Sequence, residues 1–526
     1  MTPSEITLSP DYWQEFTIED QDIELLFNYL LEKETPLTTT ELLTAIIQQR
    51  IIEEKQKLLS QLSKPSDIYK PKEKFTIGQN LVFQNLGNRR GEVIGSRSGN
   101  NPEYSPFNVI EVRFDDGSTR FFADSFPDHK LNTPVQINEK DANLDCNQIL
   151  ERYGNVLLST LEKALRTKKD LVLIAGRWFP RSLLINVNQG HLNLAEAILE
   201  EVKGGPLPIS KIIDQADLPK EVNPQLIEFS LDLALQEDRR FDEVGPAGET
   251  LWFLQRLEPE GVQKRPTILN FPPFDYDKEK VADLLVPFEN SSTDEYEPGM
   301  DPGNSINEVQ IGLIYPHWEA GTLPLTNQLK RLFPFAHEAP RIRFTFVDRE
   351  KNQRFNGWVV QPQKYIFGLK EWYQAQGLIP GSLVHLSKGQ EPGEILLSIE
   401  KQRQNKEWIR TTFIGSDSGL VFVMSKQPVT AAFDERLAIF VSDTEHLKQI
   451  WEKGAYQKMP LDQVVNLLMR ELAKLNPQGQ IHAQELYAAV NLVRRSPPGP
   501  ILSILKSSPW SVYLGDLYFR LMENTL

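Results

Sequence analysis

RFDEVGPAGETLWFL, residues 240–254, reads as two short strands around a Gly-Pro-Ala-Gly turn. WSVYLGDLYFRLME, residues 510–523, repeats the rhythm: an aromatic, an aliphatic, a glycine, then aromatic-x-Leu. Each hairpin directly follows a run of helices. Upstream of the first, HLNLAEAILEEVKGG places Leu194, Ile198 and Val202 on one helical face, PISKIIDQADLP forms a short second helix, and NPQLIEFSLDLALQED buries Leu226, Phe229 and Leu233. Upstream of the second lie LDQVVNLLMRELAKL, AQELYAAVNLVRR and PILSILKSS. Three helices closed by a two-stranded wing predict a winged helix, occurring twice. Trp252 and Phe519 are then wing aromatics packed on the helices, and Gly245 and Gly515 supply the positive φ of tight hairpins.

Outward from these modules the period changes. Residues 1–70 are helical, with DIELLFNYLLEK followed by a Thr-capped second helix. Over 71–140, apolar and polar residues alternate between turn signals, which predicts a small β-barrel. The acidic winged helix spans 141–265, and 266–312, rich in Pro, Gly and acid, reads as a flexible linker. Residues 313–410 alternate strands with short helical turns. A connector at 411–450 leads to the second winged-helix unit at 451–526. The fold class expected is α+β multidomain.

These segments resemble known families. LALQEDRRFDEVG…LWFL is similar to the end of the HARE-type winged helix, the domain of the bacterial RNA polymerase delta subunit and of chromatin- and restriction-associated proteins. GEVIG followed by VRFDDGSTRFF looks like the Tudor/KOW class of barrels, which bind nucleic acid or peptides. RFNGWVV, GLKEWYQAQGLIPGS and the apolar strand after them resemble the DNA-binding pseudobarrel of plant transcription factors and restriction endonucleases. The resemblances imply a role in transcription or in a defence system.

Composition narrows the chemistry. The 526 residues carry a net charge of −15 and one cysteine, Cys146, which excludes a disulfide framework and points to a reducing cytoplasm. The N-terminal stretch lacks a basic start and apolar core, and no window is apolar enough to span a membrane, so neither a signal peptide nor a membrane contact is expected. The seven histidines have no metal-ligand spacing, and no phosphate loop or nucleophile elbow is present. No catalytic residue, metal or cofactor is expected. FDDG and GSDSG read as turns, and a nuclease subunit is the most distant of three readings.

Charge is unevenly distributed. Residues 191–260 hold 6 Lys/Arg against 15 Asp/Glu, and the third helix there bears Glu228, Asp232, Glu237 and Asp238, which phosphate would repel. That module is expected to bind protein. Residues 321–410 hold 14 Lys/Arg against 8 Asp/Glu. Arg341, Arg343, Arg349, Lys351 and Arg354 surround one hairpin, while Lys401, Arg403, Lys406 and Arg410 follow the last strand. With Arg494, Arg495 and Lys506 near the C-terminus, these are the candidate contacts to double-stranded DNA. The alternative is a solvated strand face with Asp348 and Glu350 as partners. Arg89, Arg90 and Arg97 of the small barrel either touch phosphate or decorate turns, and Trp178 between Arg177 and Arg181 reads as core. The function expected is non-enzymatic DNA association through the basic segment and the C-terminal winged helix, with the acidic module binding protein; the alternative is a protein–protein scaffold that never touches DNA.

Overall fold

The computed structural model describes residues 12–522 except 63–67, 84–85, 87–88, 102–103, 105, 133–141, 216–222, 247–248, 291, 293, 297–306, 334–338, 392 and 416–418; the side chains of 58–62, 130 and 403–405 also lie outside it. It is a mixed α/β protein with six sheets among the described residues, divided into two compact units, 1–184 and 185–526. No helix of the described residues is long and apolar enough to cross a membrane.

One element order occurs three times: helix, short strand, helix, helix, strand, strand, with the sheet ordered first–third–second strand. In the first unit it comprises Asp20–Lys33, Leu37–Thr38, Thr39–Leu62, Cys146–Arg166, Leu171–Ile174 and Arg177–Pro180. In the second unit it runs through Gln189–Glu201, Leu207–Pro208, Ile209–Ile213, Pro224–Glu237, Phe241–Glu243 and Leu251–Leu254, and again from Leu461–Ala473 to Tyr518–Leu521.

Each copy solves the same packing problem in the same way. An aromatic of the last strand stands opposite the apolar residue that leads into the second helix: Trp178 opposite Leu37, Trp252 opposite Leu207, Phe519 opposite Ile481. All three rings are buried, as expected for Trp252, Phe519 and Trp178. The indoles find acceptors, Trp178 at Thr39 Oγ1 (3.0 Å) and Trp252 at Asp232 Oδ1 (2.7 Å), which a buried indole N–H requires. Two copies also share a reciprocal cap at the start of the second helix. The Thr38 hydroxyl accepts from the Glu41 amide while Glu41 accepts from the Thr38 amide, and His482 and Glu485 form the equivalent box.

Several local expectations change. The buried face of Gln189–Glu201 is Leu192, Ala195, Ile198 and Leu199; Leu194 and Val202 are exposed. Gly515 has φ +100° as expected, but Gly245 has no positive φ. Its backbone instead lies so near the Glu249 carbonyl that a Cβ would stand 1.9 Å from that oxygen. Pro224–Glu237 turns Ile227, Leu231 and Leu235 into the module core, and Leu226, Phe229 and Leu233 are buried too.

The small β-structure is a meander of Asn80–Phe83, Arg89–Ser98, Asn108–Phe114 and Thr119–Asp124, paired in that order around Phe83, Val93, Val112 and Phe114. It lies within 71–140, in the connection between the second and third helices of the first copy.

Residues 308–398 form a seven-stranded sheet in the order Glu308–Gly312, Leu383–Lys388, Glu394–Ser398, Arg341–Asp348, Arg354–Val360, Tyr365–Phe367, Thr322–Pro324. Only the Arg341–Asp348/Glu394–Ser398 pair is parallel. Its core collects Phe344, Phe346, Trp372 and Tyr373. The sheet thus starts inside 266–312, which is not an unstructured linker. Lys278–Glu289 is a helix with Val281, Leu284, Leu285 and Phe288 buried at helical spacing, and Phe288 meets the Tyr487 ring at 5.4 Å. The 411–450 connector likewise contains Leu420–Ala431, which pairs with Lys401–Ile414 in a long hairpin.

Candidate functional site

Alternation puts Arg341 and Arg343 on one face of Arg341–Asp348, as its sequence requires. That face is covered by the hairpin of the acidic module. Arg341 Nη1 lies 2.8 Å from Asp242 Oδ2 and 3.4 Å from Glu258 Oε2. Arg343 stacks over Phe253 at 5.8 Å, and its amide donates to the Val244 carbonyl at 2.9 Å. Beneath them Val244, Phe253, Trp358, Val360 and Tyr365 form one apolar cluster. The negative segment and the positive segment therefore meet each other inside the second unit.

Burial costs these groups hydration. It pushes Glu258 up to about 8, with neighbouring Asp242 adding repulsion and Arg341 opposing it. It lowers Arg343. Asp232, on the helix face where an exposed acid was expected, instead points inward; burial raises it to about 7 although Trp252 donates to its charged form.

The remaining candidates are dispersed. Arg354 pairs with Glu391 and Glu394, and Lys401 with Glu350 at 2.5 Å. Asp348 is buried, accepting from Trp372 Nε1 and Gln376 Nε2 at 2.8 Å each, so it caps the hairpin and does not face Arg349. Arg410 is buried against Glu485 at 2.6 Å. Lys506 holds Asp283 at 2.6 Å. Arg494 donates to the Tyr456 carbonyl at 3.2 Å and to that of Met459. Arg349, Lys351 and Lys406 are exposed and meet no carboxylate within ion-pairing distance among the described residues. The Arg403 side chain lies outside the described ones. In the barrel, Arg89 pairs with Asp116 and Arg97 lies over Phe121 at 5.6 Å.

Arg495 shows how far charge counting departs from geometry. Its guanidinium is fully buried, bonded to Asp294 at 2.7 and 2.8 Å and to Glu295 at 2.7 Å. Glu295 also meets His317 Nε2 at 3.1 Å, whose Nδ1 contacts Thr322 Oγ1 at 2.8 Å, and Tyr487 donates to Asp294 at 2.6 Å. Burial raises Asp294. It acts on Glu295 too, but Arg495 and His317 together hold that carboxyl below its ordinary range. These groups tie residues 294–295 to the C-terminal module. No group of three His, Cys, Asp or Glu able to hold a metal occurs among the described residues.

A surface that charge reading passes over lies on the Lys401–Ile414/Leu420–Ala431 hairpin. Phe413 pairs with Val421, and with Val423 two residues on they form an exposed apolar strip. Trp408 and Met424 are exposed on the opposite face. Leu420–Ala431 is at the end of its sheet, so one side of its backbone has no strand neighbour among the described residues. The signal was present in the sequence as WIRTTFI and LVFVM, apolar on both alternating faces.

No protein-family model, no curated protein and no solved structure matches the chain.

Proposed function

We propose that the protein is a protein–protein scaffold assembled from three winged-helix modules, an inserted small barrel and a pseudobarrel, with the 401–431 hairpin as its partner surface. The carrying observation is that Arg341 and Arg343, the heart of the expected polyanion-binding face, are engaged by Asp242, Glu258 and Phe253 of the same chain. Arg354, Lys401, Arg410, Arg495 and Lys506 are also paired with carboxylates. Cations neutralised in this way release few counterions from a nucleic acid, and that release drives much of nucleic-acid affinity. The apolar hairpin with an open strand edge suits addition of a partner's strand, where backbone bonds supply affinity and alternate side chains supply selectivity.

The test is site-specific photo-crosslinking in cells of origin from positions 413 and 423. A discrete adduct from both, lost when Val423→Lys is added to the 413 probe, supports the reading; no adduct at either position removes it. A surface substitution of this kind leaves stability within about 0.5 kcal/mol, so misfolding does not confuse the result.

Duplex DNA association is the second reading, favoured by the three exposed cations Arg349, Lys351 and Lys406. Three phosphate contacts give a log K against log salt slope of about −3. Anisotropy with random duplex reads it, and the Arg349→Ala/Lys351→Ala/Lys406→Ala variant abolishes the slope. Absence of salt-sensitive binding eliminates this reading.

A further inference from the structure

Two arginines without a hydrogen-bonded carboxylate, Arg265 and Arg494, mark a second site. A cavity of about 530 Å³ in the second unit is lined by Arg265, Thr267, Asn270, Trp451, Arg494 and Arg495, with Phe271 and Pro272 beside them. Two buried carboxylates lie behind it, and both are committed to Arg495. Arg265 reaches Glu295 only at 3.7 Å, outside hydrogen-bond range. Arg494 has backbone carbonyls as its acceptors, and Glu452 on the lining is exposed. Arginine keeps its charge even in such surroundings. Arg265 and Arg494 are therefore the lining cations without a hydrogen-bonded carboxylate, although Asp294, Glu295 and Glu452 match the three arginines in number.

Hydrogen-bond accounting agrees. Nε and Nη2 of Arg265, Nε of Arg494 and Nε of Arg495 are buried and have no acceptor, while Glu295 Oε1 and Oε1 of the lining Gln457 are buried acceptors without a donor. Buried donors without an acceptor outnumber buried acceptors without a donor here by four to two. The rest of the lining differs in character. Trp451 is oriented by its own bond to the Leu492 carbonyl at 2.7 Å, and Phe271 and Pro272 add apolar surface. Apolar walls with a few convergent donors, at this volume, match a small-molecule site.

We propose that this cavity binds a compact organic anion, with its carboxylate or phosphate held by Arg494 and Arg265 and its apolar body against Trp451 and Phe271. Guanidiniums take both oxyanions in paired, charge-assisted bonds. The site is separate from the hairpin and does not depend on the scaffold reading.

The experiment is calorimetric titration of the full chain with phenyl phosphate and with benzoate, with phenol and ionic-strength-matched sodium chloride as controls. Saturable binding of either anion is expected, with no binding of phenol. Arg494→Gln should weaken it at least tenfold. Because Arg494 also holds two carbonyls, Arg265→Gln serves as the second variant, with the same tenfold loss expected. If neither anion saturates by about 10 mM, weaker than the millimolar end of ordinary affinities, the proposal fails. Affinity unchanged in Arg265→Gln, or phenol binding as well as the anions, also overturns it.

Discussion

Replacing Arg495 by Met tests whether the buried ionic cluster holds 266–312 onto the C-terminal module. The side chain is of comparable length, so the change removes charge more than volume. Asp294 and Glu295, each about 1% exposed, would lose the guanidinium at 2.7 Å that balances both. Breaking a buried pair by removing one partner costs about 3–5 kcal/mol, mostly because the remaining charge stays out of water. Here two carboxylates are stranded, and His317 at 3.1 Å and Arg265 at 3.7 Å remain beside Glu295 alone, which leaves Asp294 uncompensated and the loss within that range. The Asp294→Asn/Glu295→Gln/Arg495→Met variant removes the stranded charges and should regain more than half the loss; neighbours this close do not add independently. Urea denaturation of the full chain, read by tryptophan fluorescence, gives the midpoints, and an unchanged slope assigns the shift to stability. A loss below about 1 kcal/mol for Arg495→Met, or a triple variant no better than the single, would refute the reasoning.

Stability should fall with rising pH through the groups that burial raises. Glu258 goes from 4.5 to about 8 and Asp232 from 3.8 to about 7, so the stability each contributes is fully present below its unfolded value and lost as pH rises through its folded value. Urea midpoints at about pH 5 and about pH 9 should differ in that direction, and Glu258→Gln should flatten the difference; an equal slope in the variant contradicts the assignment. Trp178→Ala removes a ring that is 1% exposed and the bond to Thr39, at a cost of about 3–5 kcal/mol. Hydrogen exchange should then accelerate in Thr39–Leu62 while Asn108–Phe114 keeps its protection, since the barrel has its own core. Uniform acceleration would show that the two are one cooperative body. Gly515→Ala places a side chain at φ +100° with open space around it, so it should cost about 1 kcal/mol or more through backbone strain alone, measured as a midpoint shift; no shift would mean that the turn relaxes freely.

Local elements were legible because their signals are local. The period of Leu461–Ala473, the glycine turn before Tyr518 and the alternation in Arg341–Asp348 each lie within 13 residues. What escaped depends on distance along the chain. The Leu37–Thr38 strand pairs with Arg177–Pro180 across the inserted barrel, so the first copy of the repeated order reads as a helical region followed by an unrelated strand pair. Lys278–Glu289 carries a helical apolar stripe, but acidic, Pro- and Gly-rich flanks conceal it. The site was hardest. Counting Arg341, Arg410 and Arg495 as available cations ignores partners 99, 75 and 201 residues away, and a sequence carries no local mark of such pairing.

The inserted barrel also sets an order of events. Thr39 is 139 residues ahead of the Trp178 that will cover it. At synthesis rates of roughly 5–20 residues per second, the early helices wait roughly ten to thirty seconds for their missing strand. Throughout that interval Leu42, Leu43, Ile46 and Ile47, all buried in the finished protein, lack part of their cover, while the barrel can already close. Until Trp178 arrives, that open helical pair is where a chaperone would find its grip.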